Sequence, residues 1–139
     1  LSERGEDGLM RKGTVAAVLL ALAGCGMAGC GGRPEPTMAH GKPVAHWVQS
    51  LQDPDARVRK RAADVMGNIG AVDPTIVPAL AAAVKDRDRS VREAAVLALL
   101  KMGAAAKEAT PALDEASKDS DARIRSYAAK ALQKIRESP

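Results

Sequence analysis

The chain is 139 residues long, with 21 Lys and Arg against 17 Asp and Glu, two Cys, one Trp, one Tyr and no Phe. That length suits one domain and leaves no room for a second. So few aromatics argue against an enzyme with a shaped substrate pocket, and a net charge of +4 from interspersed signs demands no nucleic-acid partner. Ala, Val and Leu supply most of the apolar content, which favours helix over sheet.

In chain order, the first segment reads as an address rather than as part of a fold. The first Met is Met10, and the polar, acidic residues 1–9 before it read as translation from a start placed too early. From Met10, a basic pair (Arg11 and Lys12) precedes the apolar run Val15–Ala23. Nine apolar residues are too few to span ~30 Å of hydrocarbon, which takes about 20 helical residues. They fit the apolar region of a secretory signal.

That run ends in Leu22-Ala23-Gly24-Cys25, and Met27-Ala28-Gly29-Cys30 follows five residues later. The first of these resembles the lipobox of bacterial lipoproteins. The resemblance implies a signal peptide over residues 1–24, a diacylglyceryl group on Cys25, with Cys30 as the alternative, and cleavage before the lipidated Cys. The mature protein is then exported and held on the bilayer of the cell envelope by acyl chains, each buried methylene contributing about 0.8 kcal/mol. The residue after either Cys is Gly and not Asp, which in Gram-negative lipoproteins implies the outer membrane. Residues 1–24 hold three basic and three acidic groups, so the mature part keeps the charge of +4. A disulfide or metal pair is the competing reading of the two Cys, and nearby ligands to complete a metal site are missing.

Residues 25–42 are rich in Gly and Pro and carry no apolar period, so they read as a flexible tether. His40 and His46 share no helix face and have no further ligands beside them, so no metal site is expected.

From Pro43 the chain repeats itself every 33 residues. Asp53, Asp86 and Asp119 align, as do Asp55, Asp88 and Asp121, then Val58, Val91 and Ile124, and then Arg59, Arg92 and Arg125. The columns continue through Ala62, Ala95 and Ala128, Met66, Leu99 and Leu132, and Ile69, Met102 and Ile135. Such agreement is an internal repeat, with units at about 43–72, 73–105 and 106–139. Each unit reads as two helices. Val58, Ala62, Val65, Met66 and Ile69 make the 3.6-residue stripe of the first unit's second helix. Asp55, Asp88 and Asp121 suit the N-cap, Gly70 and Gly103 suit the C-cap, and Asp73-Pro74 suits the start of the next unit. The third unit has Arg136 in place of the Gly. No strand is expected. The fold class is all-α, a short α-solenoid of the armadillo type.

The three segments Asp53-Pro-Asp55-Ala-Arg-Val58-Arg59, Asp86-Arg-Asp88-Arg-Ser-Val91-Arg92 and Asp119-Ser-Asp121-Ala-Arg-Ile124-Arg125 resemble the HEAT-like repeats of the family named after phycobilisome lyases. The resemblance covers residues 43–139 and implies the fold rather than a function. It also implies that the first Asp and the Arg of successive units pair across repeat interfaces. That gives Asp53, Asp86, Asp119, Arg59, Arg92 and Arg125 a structural role.

Catalysis has little to work with. After Cys30 there is no Cys, and the repeat domain has one His, His46. The paired carboxylates recur in every unit, as a structural device does and a catalytic pair does not. Lyase activity belongs to some members of the resembling family, acting on a bilin in heteromeric enzymes, and nothing here matches a bilin site. The expectation is therefore a non-enzyme without cofactor or metal: an interaction scaffold for a protein partner whose identity the sequence does not give. The contact positions read from it are Lys60, Asp64, Leu97, Leu100, Lys101, Tyr127, Lys130 and Lys134, projecting from second helices away from the core stripe. Leu97 and Leu100 are the apolar members, unless flanking helices bury them. Two alternatives remain, an accessory subunit of a lyase and a nucleic-acid binder. The binder would use Arg57, Arg59, Lys60, Arg61, Arg87, Arg89, Arg92, Arg123 and Arg125 near second-helix N-termini.

Overall fold

The structure is a computed structural model that describes residues 36–138. The signal and lipobox residues, including Cys25 and Cys30, lie outside the described residues. A hairpin of β1 (Met38–Ala39) and β2 (Lys42–Pro43) opens the domain. Six α-helices follow: α1 (Val44–Ser50), α2 (Ala56–Ile69), α3 (Ile76–Ala83), α4 (Arg89–Met102), α5 (Thr110–Ala116) and α6 (Ala122–Glu137). A 3-10 segment, Gly103–Ala109, kinked at Ala106, links α4 to α5.

The repeated Asp starts each long helix by one mechanism. Asp55, Asp88 and Asp121 keep extended backbone angles, and their carboxylates accept from Arg57 N at 2.8 Å, Ser90 N at 2.8 Å and Arg123 N at 2.9 Å. Each satisfies an amide that has no intrahelical acceptor and places negative charge at the positive end of the helix. At the other end, Gly70 and Gly103 adopt φ of 76° and 57°, and their amides close on Met66 O and Leu99 O.

The second helices α2, α4 and α6 pack side by side in chain order, with α1, α3 and α5 forming a layer behind them. Between the layers lie Met66, Leu80, Val91, Leu99, Leu113 and Ile124, all closed to solvent. The α2–α4 seam is tightest at Gly67, where an added Cβ would sit 2.7 Å from Ala98 Cβ. Only a residue without a side chain allows that approach.

The structure corrects the sequence reading at four places. The tether expected to run to residue 42 ends earlier, because residues 38–43 pair as a hairpin. His40 and Gly41 both take positive φ, 49° and 74°, as a two-residue type I′ turn requires. The hairpin is pinned by Trp47, whose Nε1 donates to Ala39 O at 2.9 Å in a buried site. Strands are therefore present where none was expected.

Asp73 does not cap α3. It accepts from Thr75 N at 2.8 Å in a turn, and the helix begins at Ile76. The third unit enters through the 3-10 helix, which buries Ala106 and Ala109 completely, before α5 begins at Thr110. Val58, assigned to the core stripe, is 37 % exposed, whereas Val91 and Ile124 in its column are closed to solvent. The inner units have a preceding second helix to cover that position, and among the described residues the first has none.

Candidate functional site

The Arg column joins neighbouring units. Arg59 grips Asp86 of the next unit through Nε at 2.7 Å and Nη2 at 2.9 Å, and Arg92 grips Asp119 at 2.8 and 3.3 Å. The third guanidinium nitrogen holds the fork in place from behind. Nη1 of Arg59 donates to Asp53 O and Pro54 O, and that of Arg92 to Asp86 O. The side chains of Arg59 and Asp86 are only 6 % and 11 % exposed. Bidentate geometry and partial burial make such pairs stronger than ordinary surface bridges. The column's end members differ. The carboxylate of Asp53 receives no Arg among the described residues, and Arg125 uses Nη1 on Asp119 O and Ser120 O.

The guanidinium hydrogen bonds of Arg59 and Arg92 hold the carboxyls of Asp86 and Asp119 below the ordinary value of 3.8, against the opposing effect of burial. These groups bind protons less readily folded than unfolded, so their stabilisation is complete above that value and disappears as the pH falls through the lowered folded values. The melting temperature should hold from neutral pH to about pH 5 and fall below about pH 4. A variant carrying Asp86→Asn and Asp119→Asn should melt lower at neutral pH and lose less on acidification. An acid profile identical to that of the parent chain would sink this assignment.

A second set of ties lies at the C-terminal ends of the second helices, and it takes up two residues that the sequence suggested as partner contacts. Lys101 Nζ donates to Asn68 Oδ1 at 3.0 Å across one seam, and Lys134 Nζ reaches Leu100 O and Lys101 O at 3.3 and 3.4 Å across the next. Lys134 thus sets a cation against the carbonyl end of α4, where the helix dipole favours it. The 33-residue spacing of these positions was the available signal for such ties.

The remaining contact positions divide. Lys60 and Asp64 pair along α2 at 2.7 Å. Leu100 and Tyr127 are half-buried and pack against the core, so neither is the free apolar contact that the sequence suggested for Leu100. Lys130 is exposed on α6. Leu97 is half-buried on the middle helix, in the column that has Asp64 on one side and Lys130 on the other. The outward stripe therefore has an apolar centre with opposite charges at its two flanks.

The basic positions offered for nucleic acid are largely engaged. Arg57 pairs with Asp55 at 3.1 Å, Arg89 with Asp121 at 2.7 Å, and Arg123 approaches Glu93 at 4.0 Å. Arg87 donates to Pro54 O at 3.3 Å, while Arg61 is exposed. Among the described residues no cluster of three or more His, Cys, Asp or Glu could hold a metal ion, and no helix is long and apolar enough to cross a membrane.

At the N-terminal end, an open cavity of ≈520 Å³ lies between the hairpin, α1 and α2. Val58 and Trp47 supply its apolar lining, with Arg61, Lys42 and His46 around them. His46 contacts Trp47 edge-on, with ring centroids 5.2 Å apart.

The model of one family, HEAT repeats, matches residues 44–133 of the chain. The chain belongs to the HEAT repeat family. HEAT repeats serve in general as protein-interaction scaffolds, and the family is typically non-catalytic. No curated protein matches this HEAT-repeat chain.

Proposed function

We propose that this HEAT-repeat protein is a lipid-anchored, non-catalytic scaffold of the bacterial envelope that binds a partner protein through the outward stripe of α2, α4 and α6. The observation that carries the scaffold reading is the stripe itself, with half-buried Leu97 between Asp64 and Lys130. An apolar centre with a charged rim is the anatomy of a protein contact. The anchor rests on Leu22-Ala23-Gly24-Cys25 behind a basic and apolar leader. Within the family, the signature Asp-x-Asp-x-x-Val/Ile-Arg is our reason for likening the chain to the repeats named after phycobilisome lyases, without their bilin chemistry. Engagement of most basic side chains by Asp, Glu or backbone carbonyls speaks against the nucleic-acid alternative.

The anchor is tested by the intact mass of the protein recovered from the membrane fraction of its host. Cleavage before Cys25 or Cys30 with added acyl mass supports it, and an unprocessed soluble chain overturns it. For the stripe, Leu97→Glu should leave the helical circular dichroism in place. It should also reduce capture of the partner from detergent-solubilised native membranes by about tenfold or more, since a buried charge at an interface centre costs over ~1.4 kcal/mol. Should the variant unfold instead, Leu97 belongs to the core and the stripe loses its centre.

A further inference from the structure

The outer faces of the first and last described units are the two halves of the joint found between units. At each internal seam the donor side presents an Arg held by backbone carbonyls, then a small or apolar residue four positions later. On α2 these are Arg59 and Ala63, and on α4 they are Arg92 and Val96. Ala63 and Val96 are fully closed to solvent by the next unit. α6 carries the same register in Arg125 and Ala129, and both are exposed. Arg125 is already oriented as its counterparts are, with Nη1 on Asp119 O at 2.8 Å and Ser120 O at 2.9 Å. In the two other units the edge formed by Nε and Nη2 takes the next carboxylate.

The acceptor side is equally ready at the other end. Asp53 Oδ1 accepts from Asp55 N at 2.8 Å, just as Asp86 and Asp119 accept from Asp88 N and Asp121 N at 2.8 Å. Beside it, Val58 lines the open cavity at the position where inner units seat a preceding second helix.

We infer that copies of this chain stack end to end, α6 of one seating in the Val58 cavity of the next while Arg125 forks onto Asp53. The contact is heterologous, so it continues the solenoid from copy to copy instead of closing a two-fold dimer. It goes beyond the scaffold proposal and does not depend on the lipid anchor. Arg57, whose counterpart Arg123 approaches Glu93, faces Ser126 of the incoming α6 in this register and gains no partner there, which keeps the joint weak and its strength sensitive to protein concentration and salt.

The test is sedimentation velocity of the full chain in mild detergent over a rising protein concentration. The parent chain is expected to grow past the monomer in steps of one chain mass. Arg125→Asp and Asp53→Arg should each raise the midpoint concentration of that growth about tenfold or more. Mixed in equal amounts, the two variants should recover it, because each new end then faces an opposite charge. Circular dichroism of Arg125→Asp, changed at an exposed site, establishes that its loss of growth is not loss of fold. A parent chain that stays monomeric throughout overturns the inference, and so does growth that Arg125→Asp leaves unchanged. A partner protein that occupies the cavity while copies remain monomeric overturns it as well, and leaves the Leu97 stripe unaffected.

Discussion

Gly67→Leu should be among the most damaging single changes in the domain, lowering stability by about 3 kcal/mol or more. A Cβ at this position would lie 2.9 Å from the Cα of Ala98 as well as 2.7 Å from its Cβ. The first of these atoms belongs to the backbone, so no side-chain rotation relieves the clash, and α4 has to move away from α2. That movement also strains the Arg59–Asp86 joint on the same seam. Even Gly67→Ala sets a helix-propensity gain of about 1 kcal/mol against an overpacking cost of ~1–3 kcal/mol. Leu adds three further carbons to the same clash. At roughly 4–8 °C per kcal/mol for a domain of this size, the melting midpoint should fall by about 12 °C or more. Thermal circular dichroism checks this, and pairing Gly67→Ala with Ala98→Gly should restore part of the loss. A melt unchanged in Gly67→Leu would mean that the seam is looser than its geometry implies.

The second large effect is expected at Arg92. Arg92→Ala removes the cation from Asp119, whose side chain is 10 % exposed, and strips the Asp86 carbonyl of its donor. Losing one member of a fully buried pair typically costs about 3–5 kcal/mol, and this pair is partly solvated, so a loss of ~2 kcal/mol is expected. Arg125→Ala provides the control. It occupies the same column and makes the same carbonyl contacts, but has no following Asp, so the single chain should lose no more than about 0.5–1 kcal/mol. Melts of the two variants at low protein concentration therefore isolate the ion pair. Equal losses would mean that the Arg column acts through its carbonyl contacts alone.

The features legible in the sequence are those that recur at the 33-residue period. The capping Asp, the C-cap Gly residues and the Arg–Asp columns repeat, and a side chain with the same task in each unit leaves a visible register. What happens once leaves none. The hairpin at Met38–Pro43 has strands of two residues, too short for any alternation to appear, and its turn places a His where Asn or Gly would have signalled it. Gly103–Ala109 is Ala-rich and lacks a β-branched or Pro signal, so nothing distinguished its tighter 3-10 winding from a linker. Val58 reads as core because its column is core, and among the described residues no earlier second helix covers it. Lys101 and Lys134 were visible as a column but ambiguous in direction. A long flexible cation can face a partner or reach back to a carbonyl with the same sequence spacing.

The link from Trp47 to Ala39 determines where tension enters the domain. Drag on the N-terminal segment first meets the hydrogen bond from Val44 N to Thr37 O, then the rungs Met38–Pro43 and Ala39–Lys42, backed by one buried indole hydrogen bond. The load therefore enters α1 at Val44 and Trp47, and these bonds have to part in turn before it passes along the rest of the solenoid. Once the hairpin opens, the segment Thr37–Pro43 becomes slack at roughly 3.3–3.6 Å per residue, enough to absorb a sudden pull. In this geometry the hairpin gives way ahead of the solenoid that follows it.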